Sequence, residues 1–75
     1  MPIKFGTYNI RNGRNGGLES ALWGMAQANI DLGFFQETKC TDGIYTRKSA
    51  GYRVVATGAP SRHRGGVALF YRPLA

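Results

Sequence analysis

Apolar and polar positions alternate over the first ten residues. Ile3, Phe5, Thr7 and Asn9 fall on one face of an extended chain, and Lys4, Gly6, Tyr8 and Ile10 on the other. A period of two with β-branched and aromatic members predicts a strand from Ile3 to Ile10. The run Arg11-Asn12-Gly13-Arg14-Asn15-Gly16-Gly17 follows and reads as a loop, since Asn and Gly tolerate left-handed backbone. The period then changes. Leu18, Ala21, Leu22, Met25 and Ala28 or Asn29 recur at helical spacing, with Glu19, Ser20 and Gln27 off that stripe. Glu19 sits in the first turn, where the helix dipole favours a carboxylate. Gly24 costs the helix about 1 kcal/mol against Ala, so tertiary packing must hold it. Trp23 lies off the stripe, and the preference of Trp for burial leads us to expect a second buried helix face.

Leu32 to Gln36 is apolar until its last residue, as expected of a strand covered on both faces. Lys39 to Gly51 has no clear period and reads as a mixed loop with a turn at Asp42-Gly43. Tyr52 to Thr57 and Gly66 to Arg72 are two further strands, rich in Val, Tyr, Phe and Thr. Residues 58–65 join them as a long hairpin loop, and Pro73 ends the last strand. The fold class is therefore α/β, a strand-helix-strand unit followed by a β-hairpin in a single domain. In such a unit the two strands are parallel and the crossover is right-handed. Parallel pairing sets both strand C-termini at one sheet edge, where open α/β sheets bind ligands. Asn9 and Glu37 should then be neighbours.

Charge narrows the choice of partner. Ten Lys and Arg stand against four Asp and Glu, a net charge of +6. That balance favours polyanions, with nucleic acid the first expectation. Cys40 is the only cysteine, so no internal disulfide forms, and a reducing, intracellular setting is expected. No apolar signal core follows Met1, and no apolar run approaches the ~20 residues that span a bilayer, so no membrane partner is expected.

An amide beside a carboxylate, with basic loops around them, suits a divalent metal and a phosphate. Magnesium takes hard oxygen ligands and is often held by one or two carboxylates plus substrate phosphate, which Glu37 at a strand end could provide. The Asn9 amide could bond a phosphate oxygen or orient Glu37. Phosphate-binding loops of other classes fail on spacing: no Lys-Ser or Lys-Thr follows Gly13, Gly16 and Gly17, and the G-x-G-x-x-G order is absent. His63, the only histidine, sits in the hairpin loop and is read as solvated or at most as a phosphate contact. Asp42 is read as a turn residue.

Three motifs in order carry a resemblance. Lys4-Phe5-Gly6-Thr7-Tyr8-Asn9-Ile10-Arg11-Asn12-Gly13, Asp31-Leu32-Gly33-Phe34-Phe35-Gln36-Glu37-Thr38-Lys39 and Gly65-Gly66-Val67-Ala68-Leu69-Phe70-Tyr71-Arg72 together resemble the start of an endonuclease/exonuclease/phosphatase domain. This is the superfamily of deoxyribonuclease I, and the likeness is nearest to the endonuclease domains of non-LTR retrotransposons. The resemblance implies the N-terminal part of a four-layered α/β sandwich, with residues 1–75 a single partial domain truncated at its C-terminus. It implies Glu37 as the metal-binding carboxylate, for Mg2+ or Mn2+, and Asn9 as the active-site amide beside it. Lys39 would match a basic residue that often follows the Glu. Arg11, Arg14, Arg62 and Arg64 would lie in loops near the substrate backbone. Asp31 matches a common Asp at the start of its strand, with a structural role. The resemblance also allows a nuclear location.

The family's later segments supply an Asp-x-Asn pair, another Asp and a C-terminal Asp-His pair, none of which occurs in these 75 residues. The function expected is thus that of an N-terminal fragment of a magnesium-dependent phosphodiesterase, a nucleic-acid endonuclease acting on DNA. A phosphatase of the same superfamily and a non-catalytic basic nucleic-acid-binding module are the alternatives. A chain of this kind should have no nuclease activity alone. Its last strand should present an unpaired edge or an uncovered apolar face, through which copies would associate.

Overall fold

The computed structural model describes residues 2–11, 16–39, 45–59 and 64–73, with the side chains of Tyr45 and Arg47 outside that description. Five strands and one helix follow in the order β1 (Phe5–Asn9), α1 (Gly17–Gln27), β2 (Leu32–Gln36), β3 (Tyr45–Ser49), β4 (Tyr52–Ala56) and β5 (Val67–Tyr71). They form a small mixed α/β domain around one sheet, in the spatial order β1-β2-β5-β4-β3. β1 and β2 are parallel, and the other three pairings are antiparallel.

The helix ends as its residues direct. Asn29 takes the left-handed conformation at φ 61, and the N–H groups of Asn29 and Ile30 donate to the Ala26 and Met25 carbonyls, both at 3.0 Å. This is a Schellman motif with Asn in the glycine position. It turns the chain directly into β2, and Asp31 fastens that turn to the start of β1. The Lys4 N–H donates to Asp31 Oδ2 and the Asp31 N–H to the Lys4 carbonyl, each at 2.8 Å. The structural role expected of Asp31 is what it has.

One face of the sheet carries the core. Leu18 and Leu22 of α1 pack with Phe35, Tyr52, Val54, Ala56, Ala68 and Phe70, all essentially inaccessible. Phe35 stacks on Phe70 at 4.6 Å between ring centroids, and Tyr52 meets Phe70 edge-on at 5.2 Å. Full burial of side chains this large contributes about 1.5–3 kcal/mol each. Behind them Arg72 donates through Nη2 to the Ile30 carbonyl at 2.6 Å and through Nη1 to Asn29 Oδ1 at 3.2 Å. It ties the end of β5 to the C-terminus of α1, where a cation is favoured.

Three expectations are corrected, and of the two alternatives for the last strand the free edge is excluded. Lys39 to Gly51 is not all loop, because Tyr45–Ser49 forms edge strand β3. Its central Arg47-Lys48 pair masks the strand pattern, as charges on edge strands commonly do. The β3–β4 turn, Ala50-Gly51, has φ of 53 and 83, the two left-handed residues that a tight two-residue hairpin requires. The last strand has no free edge, since β5 lies between β2 and β4; the sheet edges are β1 and β3. Trp23 is 60% exposed, because the sheet lies against only one side of α1. Phe34 is exposed as well, so β2 is covered on one face and not two.

The opposite sheet face is open. Residues paired across it form a row Lys48, Arg53, Tyr71, Leu32 and Phe5, and a second row Thr46, Val55, Leu69, Phe34 and Thr7. Phe5, Phe34, Val67 and Tyr71 are between 37% and 57% exposed there. The uncovered apolar face anticipated for the last strand is thus present, through Val67, Leu69 and Tyr71.

Candidate functional site

Parallel register decides what meets at the C-terminal edge of β1 and β2. Asn9 is the Cα partner of Gln36, and the Ile10 N–H donates to the Gln36 carbonyl at 3.1 Å. Glu37 is the next residue, so Asn9 and Glu37 stand at one sheet edge, one residue out of register. The Asn9 side chain ends β1 by accepting the Arg11 N–H on Oδ1 at 3.0 Å. That short turn holds Arg11 at φ 62. Gln36 Nε2 donates to Thr7 Oγ1 at 2.6 Å and ties the last residue of β2 to the middle of β1.

The turn after β2 is held from its other side by two glycines. The Thr38 N–H donates to the Gly66 carbonyl at 3.3 Å, and the Lys39 N–H to the Gly65 carbonyl at 2.9 Å. Gly66 has φ 90, and a Cβ there would overlap Thr38 Oγ1 and stand 3.3 Å from the Lys39 nitrogen. Only glycine fits that position, both in conformation and in space. Thr38 is fully buried beneath the turn, while Glu37 and Lys39 on either side of it are half-buried.

Among the described residues, five that are not glycine have positive φ: Arg11, Asn29, Glu37, Lys39 and Ala50. Three have a local explanation, Asn29 in the helix terminus, Ala50 in the hairpin turn and Arg11 in the turn that the Asn9 side chain closes. The other two, Glu37 and Lys39 at φ 56 and 57, lie with Gly65 and Gly66 at the edge where Asn9 stands. Left-handed conformations cost non-glycine residues on the order of 1–3 kcal/mol each, and such strain concentrates at functional sites.

Beside this edge lies an open hollow of about 480 Å3, lined by Thr7, Tyr8, Asn9, Ile10, Arg11 and Gln36. Asn9 and Arg11 are exposed at its rim. Arg64 is also exposed, and it precedes the Gly65 that binds Lys39, so the two cations flank one turn. Arg14, Arg62, His63, Cys40 and Asp42 lie outside the described residues. Among the described residues no three His, Cys, Asp or Glu side chains gather as a metal cluster. No helix among them is long and apolar enough to cross a membrane.

Thr38, Gln36, Thr7 and Gly66 shape this edge and were not singled out from sequence as site residues. The adjacent Gly65-Gly66 pair was the available signal, since paired glycines before a strand mark a backbone that something approaches closely. In comparison with known proteins, no family model and no curated protein matches the chain.

Proposed function

We propose that this chain is the N-terminal portion of a magnesium-dependent phosphodiesterase of the endonuclease/exonuclease/phosphatase type, acting on nucleic acid and most directly on DNA. The observation that carries the reading is the β1–β2 register. It sets Asn9 against Gln36 and Glu37 just beyond, at an edge whose left-handed turns serve no cap or hairpin. The excess of Lys and Arg supports a polyanionic substrate.

A single carboxylate fits magnesium, which keeps several waters and needs one or two protein oxygens. Glu37 would hold Mg2+ or Mn2+, and the bound ion would polarise the scissile phosphate and stabilise the leaving oxygen. Asn9 orients the phosphate through its amide, while Oδ1 stays engaged with the Arg11 N–H. Arg11, Lys39 and Arg64, with Arg14 and Arg62, contact the backbone of the nucleic acid. Activation of water needs a general base that none of these residues supplies, so the chain alone binds and does not cleave.

The open apolar face supports the finer fold reading, in which a second sheet packs here and completes a four-layered α/β sandwich. Packed sheets lie ~10 Å apart with interdigitating side chains, and exposed Phe5, Phe34, Val67 and Tyr71 suit such an interface.

The test is paramagnetic broadening by Mn2+ in amide-resolved NMR spectra. Signals of Asn9, Ile10, Gln36 and Glu37 should broaden selectively, and Glu37→Gln should abolish the effect. Uniform broadening, or broadening that survives the substitution, would remove Glu37 from a metal site. Magnesium-dependent plasmid nicking by the purified chain that disappears in Glu37→Gln would contradict the assignment of the base to other segments.

A further inference from the structure

The five strands contain no acidic residue. On the open face Lys48 and Arg53 are direct cross-strand partners, and Arg53 is in turn paired with Tyr71. Both cations are exposed and line a hollow of about 340 Å3 with Thr46, Val55 and Tyr71. Like charges placed directly opposite one another destabilise an antiparallel pair. Beyond Tyr71 the same row continues as Leu32 and Phe5, so the face changes from basic to apolar across its width. Five strands of five residues, at ~4.8 Å between strands and ~3.3 Å per residue, make a face on the order of 400 Å2. The apolar part, Phe5, Leu32, Phe34, Leu69, Val67 and Tyr71, is a fraction of that area, and the largest exposed apolar patch of a small protein is often functional.

We infer that the surface covering this face is a polypeptide layer, apolar at its centre and carrying at least one carboxylate over the Lys48–Arg53 pair. Charge complementarity selects this occupant. A second copy of the chain would bring another face whose strands lack any acid, leaving both cation pairs uncompensated. A strand of nucleic acid would satisfy the cations but would leave Leu32, Leu69, Val55 and Val67 against sugar and phosphate. The inference deepens the layered reading above and rests on it, and it is independent of Glu37.

The probes are a synthetic β-hairpin peptide with an apolar face and glutamate flanks, and the same peptide with lysine flanks. Binding is followed by amide shifts in the full chain. The glutamate peptide should shift residues of β2, β4 and β5 on the open face and leave α1 unmoved. The lysine peptide should bind weakly. Lys48→Gln and Arg53→Gln together should weaken the glutamate peptide about two- to thirtyfold, as two exposed ion pairs would. The reversal Lys48→Glu with Arg53→Glu lowers the net charge from +6 to +2, and should nevertheless exchange the preference in favour of the lysine peptide. Circular dichroism confirms that each variant is folded.

Equal binding of both peptides at this face would overturn the carboxylate and leave the layered reading standing. Binding of neither, or shifts confined to α1, would overturn both. A dimer in sedimentation that Phe34→Glu dissolves, or an oligo(dT) strand that shifts the same strand amides more strongly than the glutamate peptide, would identify a different occupant and overturn the proposal.

Discussion

Gly33 should be the least replaceable residue in the β1–β2 pair. It is buried, and it faces Gly6 across the parallel ladder. A Cβ at Gly33 would overlap the Gly6 carbonyl oxygen and stand 2.8 Å from both the Gly6 carbonyl carbon and Phe70 Cζ. Two of those three atoms are backbone, so no rotamer change relieves the contact. β1 must move away by more than about 1 Å for ordinary van der Waals separation, which exceeds the tolerance of a hydrogen bond. One or two ladder bonds are then lost at about 1 kcal/mol each, and the overpacking adds about 1–3 kcal/mol. The expected cost of Gly33→Ala is about 2–5 kcal/mol. A domain of this length has roughly 4–11 kcal/mol in total.

Thermal unfolding followed by circular dichroism should show the midpoint falling by about 8–40 °C. Gly24→Ala is the matched control. It lies in the interior of α1, nothing stands within 4 Å of its Cβ position, and it should gain about 0.5–1 kcal/mol of stability. The pair of variants separates a steric requirement from a general glycine effect. An unchanged or raised midpoint for Gly33→Ala would refute the close approach of β1 to β2, and with it the register that sets Asn9 beside Gln36.

Arg72→Ala should cost about 2–3 kcal/mol in urea denaturation, since it removes charged donors to the Ile30 carbonyl and Asn29 Oδ1; Arg72→Lys should cost clearly less, as it keeps the cation at the helix terminus. Equal losses for Ala and Lys would mean that charge at the helix terminus contributes little. Gly66→Ala should displace Thr38 and the Lys39 turn, weakening Mn2+ broadening at Glu37 in NMR without touching that carboxylate. Intact broadening in a folded Gly66→Ala chain would separate the turn from the metal site. DNA affinity measured by fluorescence anisotropy should fall with salt at a slope of about −4 to −5, if Arg11, Arg14, Lys39, Arg62 and Arg64 all meet phosphates. A slope near −1 would leave most of them off the backbone.

The strand-helix-strand order was legible because both periods are local. Alternation over Phe5–Asn9 and the Leu18, Leu22, Met25 spacing depend on residues a few positions apart, and the ends of β2 and β5 were placed within a residue of the structure. The parallel pairing of β1 with β2 followed from the intervening helix. From it came the expectation that Asn9 and Glu37 share an edge. Asn9 and Glu37 could be singled out for the same reason, as polar residues closing apolar runs, whereas Lys39, Arg11 and Arg64 were implied only by the resemblance.

What required the tertiary structure is everything set by contacts between distant segments. The insertion of β5 between β2 and β4 is not encoded in any local period, so the position of the free edges could not be read from it. β3 escaped notice because its two central cations suit an edge strand and erase the apolar alternation. Trp23 carries a strong preference for burial, yet burial depends on which side of α1 meets the sheet, and that side is chosen by Leu18 and Leu22. The roles of Gly33 and Gly66 are negative quantities, the absence of a Cβ where another segment's backbone or Thr38 already stands. Sequence records that a glycine is present. Only the packed chain shows what would collide with anything larger, because the colliding atoms belong to residues 27 and 28 positions away.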